Sequence, residues 1–232
     1  GEMGKVCIGI DLGGTFIKFG LLDADRKASE TFQLPTPLDE GIDAVMDQMA
    51  AGALQAVAKA GLTKADVVGV GIGSPGPINI ADGLVVAMPN ISGMDNCPLR
   101  DMVSEGLSLP ATLENDANAA AYGEYVCGAG KEAGDMVMLT LGTGVGGGVV
   151  IGGKILHGRH DAGAELGHMI LVPDGEPCGC GQRGCLEQYA SATFMARRTA
   201  RRIRDEGAES SLKQLLAEKG ESKRQIARTL GV

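Results

Sequence analysis

The chain contains no Trp, and only three Tyr and four Phe in 232 residues. Aromatic platforms for a ligand are therefore scarce, and recognition has to rest on hydrogen bonds and charge. An excess of basic residues is missing too. With a net charge of -8 and a pI near 4.9, the chain as a whole repels nucleic acid and anionic membranes, so binding to either would need a local basic patch. The candidate patch, Arg197, Arg198, Arg201, Arg202 and Arg204, falls within an expected helix, where such a run marks a solvated face. There is no apolar stretch of about 18 residues to span a bilayer, and no secretory leader ahead of the first apolar run, Val6 to Ile10. These absences lead to the expectation of a cytoplasmic protein that contacts neither nucleic acid nor membrane.

In such a compartment thiols stay reduced, so the six Cys are not expected to form disulfides. Cys7, Cys97 and Cys127 stand alone among apolar neighbours and read as small buried hydrophobes. What the chain does have is glycine. Its 37 Gly cluster in short motifs between apolar runs, without the period of a collagen, which points to turns and to close approach by ligands. A hydrophobic share of 44% suffices for one large or two ordinary globular domains.

Taken in order, residues 5 to 11 form an apolar run ending in Asp11, followed by the turn Leu12-Gly13-Gly14-Thr15 and a returning strand, Phe16 to Leu22. A third strand is expected at Ser29 to Leu34. From Asp39 to Ala60, Ile42, Val45, Met46, Met49, Ala53, Leu54 and Val57 recur at helical spacing and predict one long helix with a buried face, ended by Gly61. Val67 to Ile72 predicts a strand buried on both faces, and strand ends of this kind are where α/β sheets place ligands. After an irregular stretch come a short helix at 98 to 106 and a brief strand at 111 to 113. That strand delivers Glu114-Asn115-Asp116-Ala117-Asn118 to a helix expected at Ala119 to Val126. The opening plan is then repeated: strand Met136 to Leu141, glycine turn Gly142 to Gly148, returning strand from Val149. Helices are expected at about 189 to 206, 210 to 219 and 222 to 230.

Gly142-Thr143-Gly144-Val145-Gly146-Gly147 matches GxGxxG, but a strand rather than a helix follows it, which rules out a dinucleotide-binding fold. Both glycine turns instead suit anionic oxygens: Gly13, Gly14, Gly142 and Gly144 leave room for backbone N–H groups, and Thr15 and Thr143 add hydroxyls. Two such turns facing each other would clamp a polyphosphate. Asp11 could hold a hydrated magnesium ion near phosphates, or simply form the turn. Asn115, Asp116 and Asn118 each suit a helix N-cap, yet Asn115 with Glu165, His168 and Glu187 also makes a donor and acceptor set for a polyhydroxylated ligand such as a sugar.

Between Asp161 and Glu187 the chain gathers His168, Cys178, Cys180 and Cys185, separated by nine, one and four residues. One imidazole and three thiols are the ligand set of a closed tetrahedral zinc site. With four protein ligands such an ion keeps no open position, so its expected work is structural: to pin a loop rich in Gly and Pro, and with it the flanking carboxylates Glu165 and Glu187.

Together, DLGGT at 11–15, ENDAN at 114–118, LGTGVGGG at 141–148, the ExGH element Glu165 to His168 and CGCGQRGCLE at 178–187 resemble the ROK family of sugar kinases and sugar-responsive repressors, most closely its glucokinase-like branch. The resemblance implies an α/β protein with the two-lobed actin, Hsp70 and hexokinase type of ATPase fold, binding ATP and a hexose, usually as a homodimer. An N-terminal lobe over 1–118 would carry the first phosphate loop and the catalytic Asp; a partial C-terminal lobe over 119–232 would carry the second phosphate loop and the zinc loop. Asp116 matches the family's catalytic base, which takes the proton from the sugar's primary hydroxyl as it attacks the γ-phosphate. Asn115, Glu165, His168 and Glu187 match its sugar ligands, His168 using one ring nitrogen for zinc and the other for sugar. Met94 stands where many relatives carry Trp, in the wall of the sugar site. Relatives continue past the point matching Val232 with further helices, a strand and an adenosine contact, so a complete ATP site is not expected within this sequence. Two other readings stay open: a sugar-responsive regulator of the same family, and an inactive, zinc-stapled sugar-binding fragment.

Overall fold

The computed structural model describes residues 5–88, 91, 93–205, 207, 210 and 212–213. They fall into two compact units, Gly1–Met136 with Val149–Gly163, and Val137–Gly148 with Ala164–Val232. The boundary expected at 118/119 lies inside a helix that belongs whole to the first unit.

The first unit is built on a five-stranded mixed sheet. Strands β1 (Val6–Leu12), β2 (Phe16–Leu22), β3 (Ala28–Pro35), β4 (Val67–Ser74) and β7 (Ala111–Asn115) lie in the order β3-β2-β1-β4-β7. The first three form an antiparallel meander, and β4 and β7 run parallel to β1. Between β4 and β7 the chain makes a small ribbon of β5 (Ile78–Asn79) and β6 (Leu84–Val85) and a helix α2 (Leu99–Leu107), where an irregular stretch was expected before the helix.

Alternation along β1 sends Val6, Ile8, Ile10 and Leu12 into the core, and leaves Cys7 and Gly9 exposed. Helix α1 (Gly41–Lys59) packs on β1 to β3 and on α2, and a 3-10 turn, Leu38–Glu40, leads into it. Its buried stripe is Val45, Met49, Gly52, Ala53, Ala56 and Val57, a run of three- and four-residue steps. Leu54 lies off that stripe and is exposed, contrary to the sequence expectation. Gly52 sits where a Cβ would overlap the Phe19 ring, so the glycine that weakens the helix by about 1 kcal/mol lets an aromatic core residue seat against its backbone. Gly61, at φ +70, ends the helix in the left-handed region as expected.

Two further expectations are corrected. β4 is buried on both faces only at its end, from Ile72 to Ser74, while Val68 is exposed, because among the described residues none covers the outer face at the strand's start. Cys7 and Cys127 are exposed, one by strand alternation and the other as the last residue of its helix; only Cys97 of the three is buried. Met94, where many relatives carry Trp, is fully buried in the core.

Strands β8 (Met136–Leu141), β9 (Val145–Ile151) and β10 (Lys154–Ile155) make a three-stranded sheet in the order β10-β9-β8. The second glycine turn is thus shorter than expected, since β9 starts at Val145. The second unit holds the Cys-rich loop, a one-turn helix α4 (Glu187–Ala190) and α5 (Ala192–Arg204). On α5, Ala196, Ala200 and Ile203 are buried while Arg197, Arg198, Arg201, Arg202 and Arg204 are exposed: the basic run is the solvated face of an amphipathic helix. The helices expected at 210–219 and 222–230 lie outside the described residues, but for Ser210, Leu212 and Lys213.

Candidate active site

One row across the first unit's sheet assembles its polar site. Lys18 on β2 stands opposite Asp11 on β1, Asp11 opposite Gly73 on β4, and Gly73 opposite Glu114 on β7. Gly73 is the blank in that row. An added Cβ there would lie 3.7 Å from the Asp116 Cα, so any side chain beyond a methyl group would press on the start of helix α3 (Asp116–Cys127). Asp116 is the first residue of that helix, which begins three residues before the expected Ala119. Asn115 is its N-cap: Oδ1 accepts from the N–H groups of Ala117 (3.0 Å) and Asn118 (3.2 Å), and Nδ2 donates to the Gly76 carbonyl at 3.4 Å.

Asp116 keeps solvent contact, yet its carboxyl is raised above the usual carboxylate value. Burial is the main cause. The Ala117 N–H, which donates to Asp116 Oδ1 at 2.8 Å, opposes the rise, the charge of Asp11 adds to it, and Lys18 pulls the other way. Asp11, expected to hold magnesium, forms an ion pair with Lys18 at 2.8 Å, a partner that the sequence reading left without a role. The hairpin register 11 to 18 was the available signal. A half-exposed carboxylate beside the first glycine turn remains suited to magnesium, which takes one or two carboxylates and keeps its waters.

The first glycine turn is closed by Gly13 N–H donating to the Phe16 carbonyl (3.1 Å) and is tied to the chain after β3 by Thr36, whose N–H reaches the Thr15 carbonyl (3.0 Å) and whose hydroxyl reaches the Gly13 carbonyl (2.6 Å). Gly14 and Thr15 are exposed.

In the second unit, Gly142 N–H donates to the Gly144 carbonyl (3.0 Å), and the Gly142 carbonyl accepts from Ala192 at the start of α5 (2.9 Å). Glu187 Oε2 accepts the Val145 N–H at 3.0 Å, and a Cβ on Gly144 would meet that oxygen at 2.5 Å. Glu187, expected among the sugar ligands, therefore also anchors the second turn, a link that no local sequence signal announces. Glu165 is exposed and precedes a 3-10 turn, Leu166–His168. Gly167 within it is obligatory, because the Val145 carbonyl occupies the place of a Cβ.

His168, Cys178, Cys180 and Cys185 do come together, their ligand atoms all within 4.8 Å of one another. Cys178 Sγ lies 3.6 Å from His168 Nδ1, and Cys180 Sγ lies 3.7 Å from Cys185 Sγ. Tetrahedral zinc with ordinary bond lengths has edges of about 3.6 Å from sulfur to nitrogen and about 3.8 Å between sulfurs, so the donor set fits one ion. Gly184, at φ +78 with the Val172 carbonyl where a Cβ would be, turns the loop tightly enough to do this. Burial pushes the Cys185 thiol up to about 12, reinforced by Cys178 and Cys180. Burial also raises Cys178, but hydrogen bonds from Cys180, Cys185 and Gln188 outweigh it and bring that thiol down to about 7. With Nδ1 turned to the thiols, His168 carries Nε2 on the opposite edge of its ring.

Two residues to which the sequence reading gave no role join the first unit's site. Glu114 Oε1 accepts from the Asn115 N–H (2.9 Å) and Asn118 Nδ2 (3.2 Å), and its Oε2 lies 2.7 Å from His157 Nε2. Nothing in the spacing of two residues 43 apart could have paired them.

A mixed sheet ending in an acid at a helix start, with strand, glycine turn and strand repeated, defines an α/β protein of the actin/Hsp70-like ATPase fold. The sequence pattern of the ROK family matches residues 7–230, and the chain belongs to that family. It is 41% identical over 190 residues to a glucokinase of Streptomyces coelicolor, an alignment covering 82% of this chain and 57% of that protein. An N-acetylmannosamine kinase of Escherichia coli is 37% identical over 191 residues, covering 82% and 62%. The chain thus spans less than two thirds of the length of these relatives. Among solved structures, the ROK glucokinase of Streptomyces griseus in complex with glucose and AMPPNP superposes with a TM-score of 0.74 at 39% identity, covering 95% of this chain and 68% of that one.

Proposed function

We propose that the chain serves an ATP-dependent sugar kinase of the glucokinase type, which transfers the γ-phosphoryl group of ATP to the 6-hydroxyl of a hexose, glucose before other sugars. The observation that carries this reading is Asp116, an acid at a helix start whose carboxyl is raised by burial and by Asp11. A general base works best as its pKa approaches the working pH, and the shift moves Asp116 in that direction.

In this mechanism Asp116 accepts the proton of the sugar's primary hydroxyl while that oxygen bonds to the γ-phosphorus; the bond from the γ-phosphorus to the ADP oxygen breaks, and its electron pair leaves with ADP. Asn115, Glu165, His168 and Glu187 hold the sugar's other hydroxyls. Gly13 and Gly142 use their own N–H groups to close the turns, and phosphate oxygens would be met at Gly14, Thr15, Thr143 and Gly144. Magnesium at Asp11 supplies neutralisation of phosphate charge, the main demand of phosphoryl transfer besides positioning. Zinc at His168, Cys178, Cys180 and Cys185 supplies structure alone, since four protein ligands leave it no open position. By the same family likeness the protein works as a cytoplasmic homodimer, with ATP and hexose as its small-molecule partners.

Coupled detection of ADP with a panel of hexoses tests the reading. Glucose-dependent ADP formation is expected; a preference for N-acetylmannosamine would reassign the substrate, and sugar binding without turnover would favour the inactive fragment. DNA binding at low salt would favour the family's regulators. Asp116→Asn should keep sugar affinity within a few-fold while turnover falls by at least about 100-fold. A near wild-type rate would remove Asp116 from the role of base.

A further inference from the structure

A single carboxylate organises the start of α3. Glu114, with its side chain 21% exposed, directs one oxygen to the Asn115 N–H and Asn118 Nδ2 and the other to His157 Nε2. A carboxylate can only accept, so His157 Nε2 carries the hydrogen and donates it. Asn115 in turn clamps the Ala117 N–H, the same group that orients Asp116 Oδ1. Asn118 supplies an independent sign of how firmly Glu114 is placed: it is 5% exposed, and its Oδ1 has no partner among the described residues, so its amide stays buried on the strength of its Nδ2 bond to Glu114 and of packing.

His157 reaches Glu114 from a loop that is itself tied down. Leu156 N–H donates to the Val149 carbonyl (2.8 Å), Gly163 N–H to the His157 carbonyl (2.8 Å), and Ile80 N–H to Asp161 Oδ2 (3.0 Å). The loop therefore holds the imidazole at both ends, and the imidazole holds the carboxylate.

We propose that His157 is a positioning residue for Asp116, acting through Glu114. Without the imidazole, Glu114 Oε2 loses its directing partner and the side chain is free to turn toward water; the clamp on Asn115 and Asn118 loosens, and the carboxylate of Asp116 is no longer fixed against its substrate. The inference rests on the kinase reading for its catalytic consequence, and on geometry alone for its structural one.

The test compares His157→Leu, which removes the donor, with His157→Gln, whose Nε2 can replace it. It uses the whole chain and two measurements: glucose-dependent ADP formation, and amide exchange at residues 115–118. For His157→Leu, kcat should fall at least about 10-fold with the sugar KM within about twofold, and the Ala117 and Asn118 amides should exchange at least about 10-fold faster. His157→Gln should restore both to within about threefold of wild type. Wild-type kcat in His157→Leu, or a loss that His157→Gln does not rescue, would overturn the proposal. If the wild-type chain forms no ADP, the kinase reading fails by itself. Exchange then decides alone: acceleration in His157→Leu reversed in His157→Gln supports the positioning role, and unchanged exchange refutes it.

Discussion

The two glycine turns share one plan, strand, Gly/Thr turn and strand, yet they are held in different ways. The first is closed by its own hairpin and by Thr36, the residue that follows β3, so these supports come from the meander that forms it. The second depends on residues more than forty positions downstream: Glu187 receives the Val145 N–H, and Ala192 donates to Gly142. Glu187 follows Cys185 by two residues, so whatever fixes the Cys-rich loop also fixes the second turn. A turn made by local strands is stable with its sheet, whereas a turn braced by a loop short of hydrophobic core needs that loop to be pinned.

The largest break in this symmetry should come from the proposed zinc site. Chelation, or Cys185→Ala, should raise amide exchange at least about 10-fold over residues 142–145 and 165–187 while residues 13–15 stay within about twofold, read by mass spectrometry. Equal loosening of both turns would abolish the contrast. Next in size, Glu187→Ala should cost about 1 to 3 kcal/mol, because the Val145 N–H loses a charged acceptor, and should weaken sugar binding; denaturant titration and calorimetry check the two effects. Thr36→Val is the matching change at the first turn. It leaves the Gly13 carbonyl without its 2.6 Å donor and should cost about 1 kcal/mol, with faster exchange at residues 13–15 and none at 142–145.

The smallest effect concerns charge beside the first turn. Because the Asp116 carboxyl is raised in the folded protein, the stability it contributes is complete below the unfolded carboxylate value of about 3.8 and is lost as pH rises through the folded value. Asp116→Asn should therefore match wild type in melting temperature below about pH 4 and exceed it at neutral pH, by less than about 1 kcal/mol, since the group keeps solvent contact. A variant less stable than wild type at pH 7 would contradict the direction of that shift.

Much of this was legible beforehand where the signal is local. The hairpin of β1 and β2, the placing of α1, the rejection of a dinucleotide fold and the solvated arginine face follow from periodicity and turn chemistry. So does the gathering of His168 with three Cys, because soft ligands at short spacing on a glycine-rich loop have few other uses. Errors occurred where burial depends on what lies across the sheet. Cys7, Cys127, Leu54 and Val68 all sit among apolar residues in the sequence, and only packing tells which face is covered.

The sequence by itself determined the family, the strands and helices around each motif, and the identity of the donor atoms in the Cys-rich loop, since these depend on residue type and near spacing. Tertiary structure alone decided which of those residues support one another: Glu187 under the second turn, and His157 beside Glu114 at the start of Asp116's helix. Such pairings depend on which strands become neighbours and where loops dock, and a chain of alternating residues carries no local mark of its distant partner.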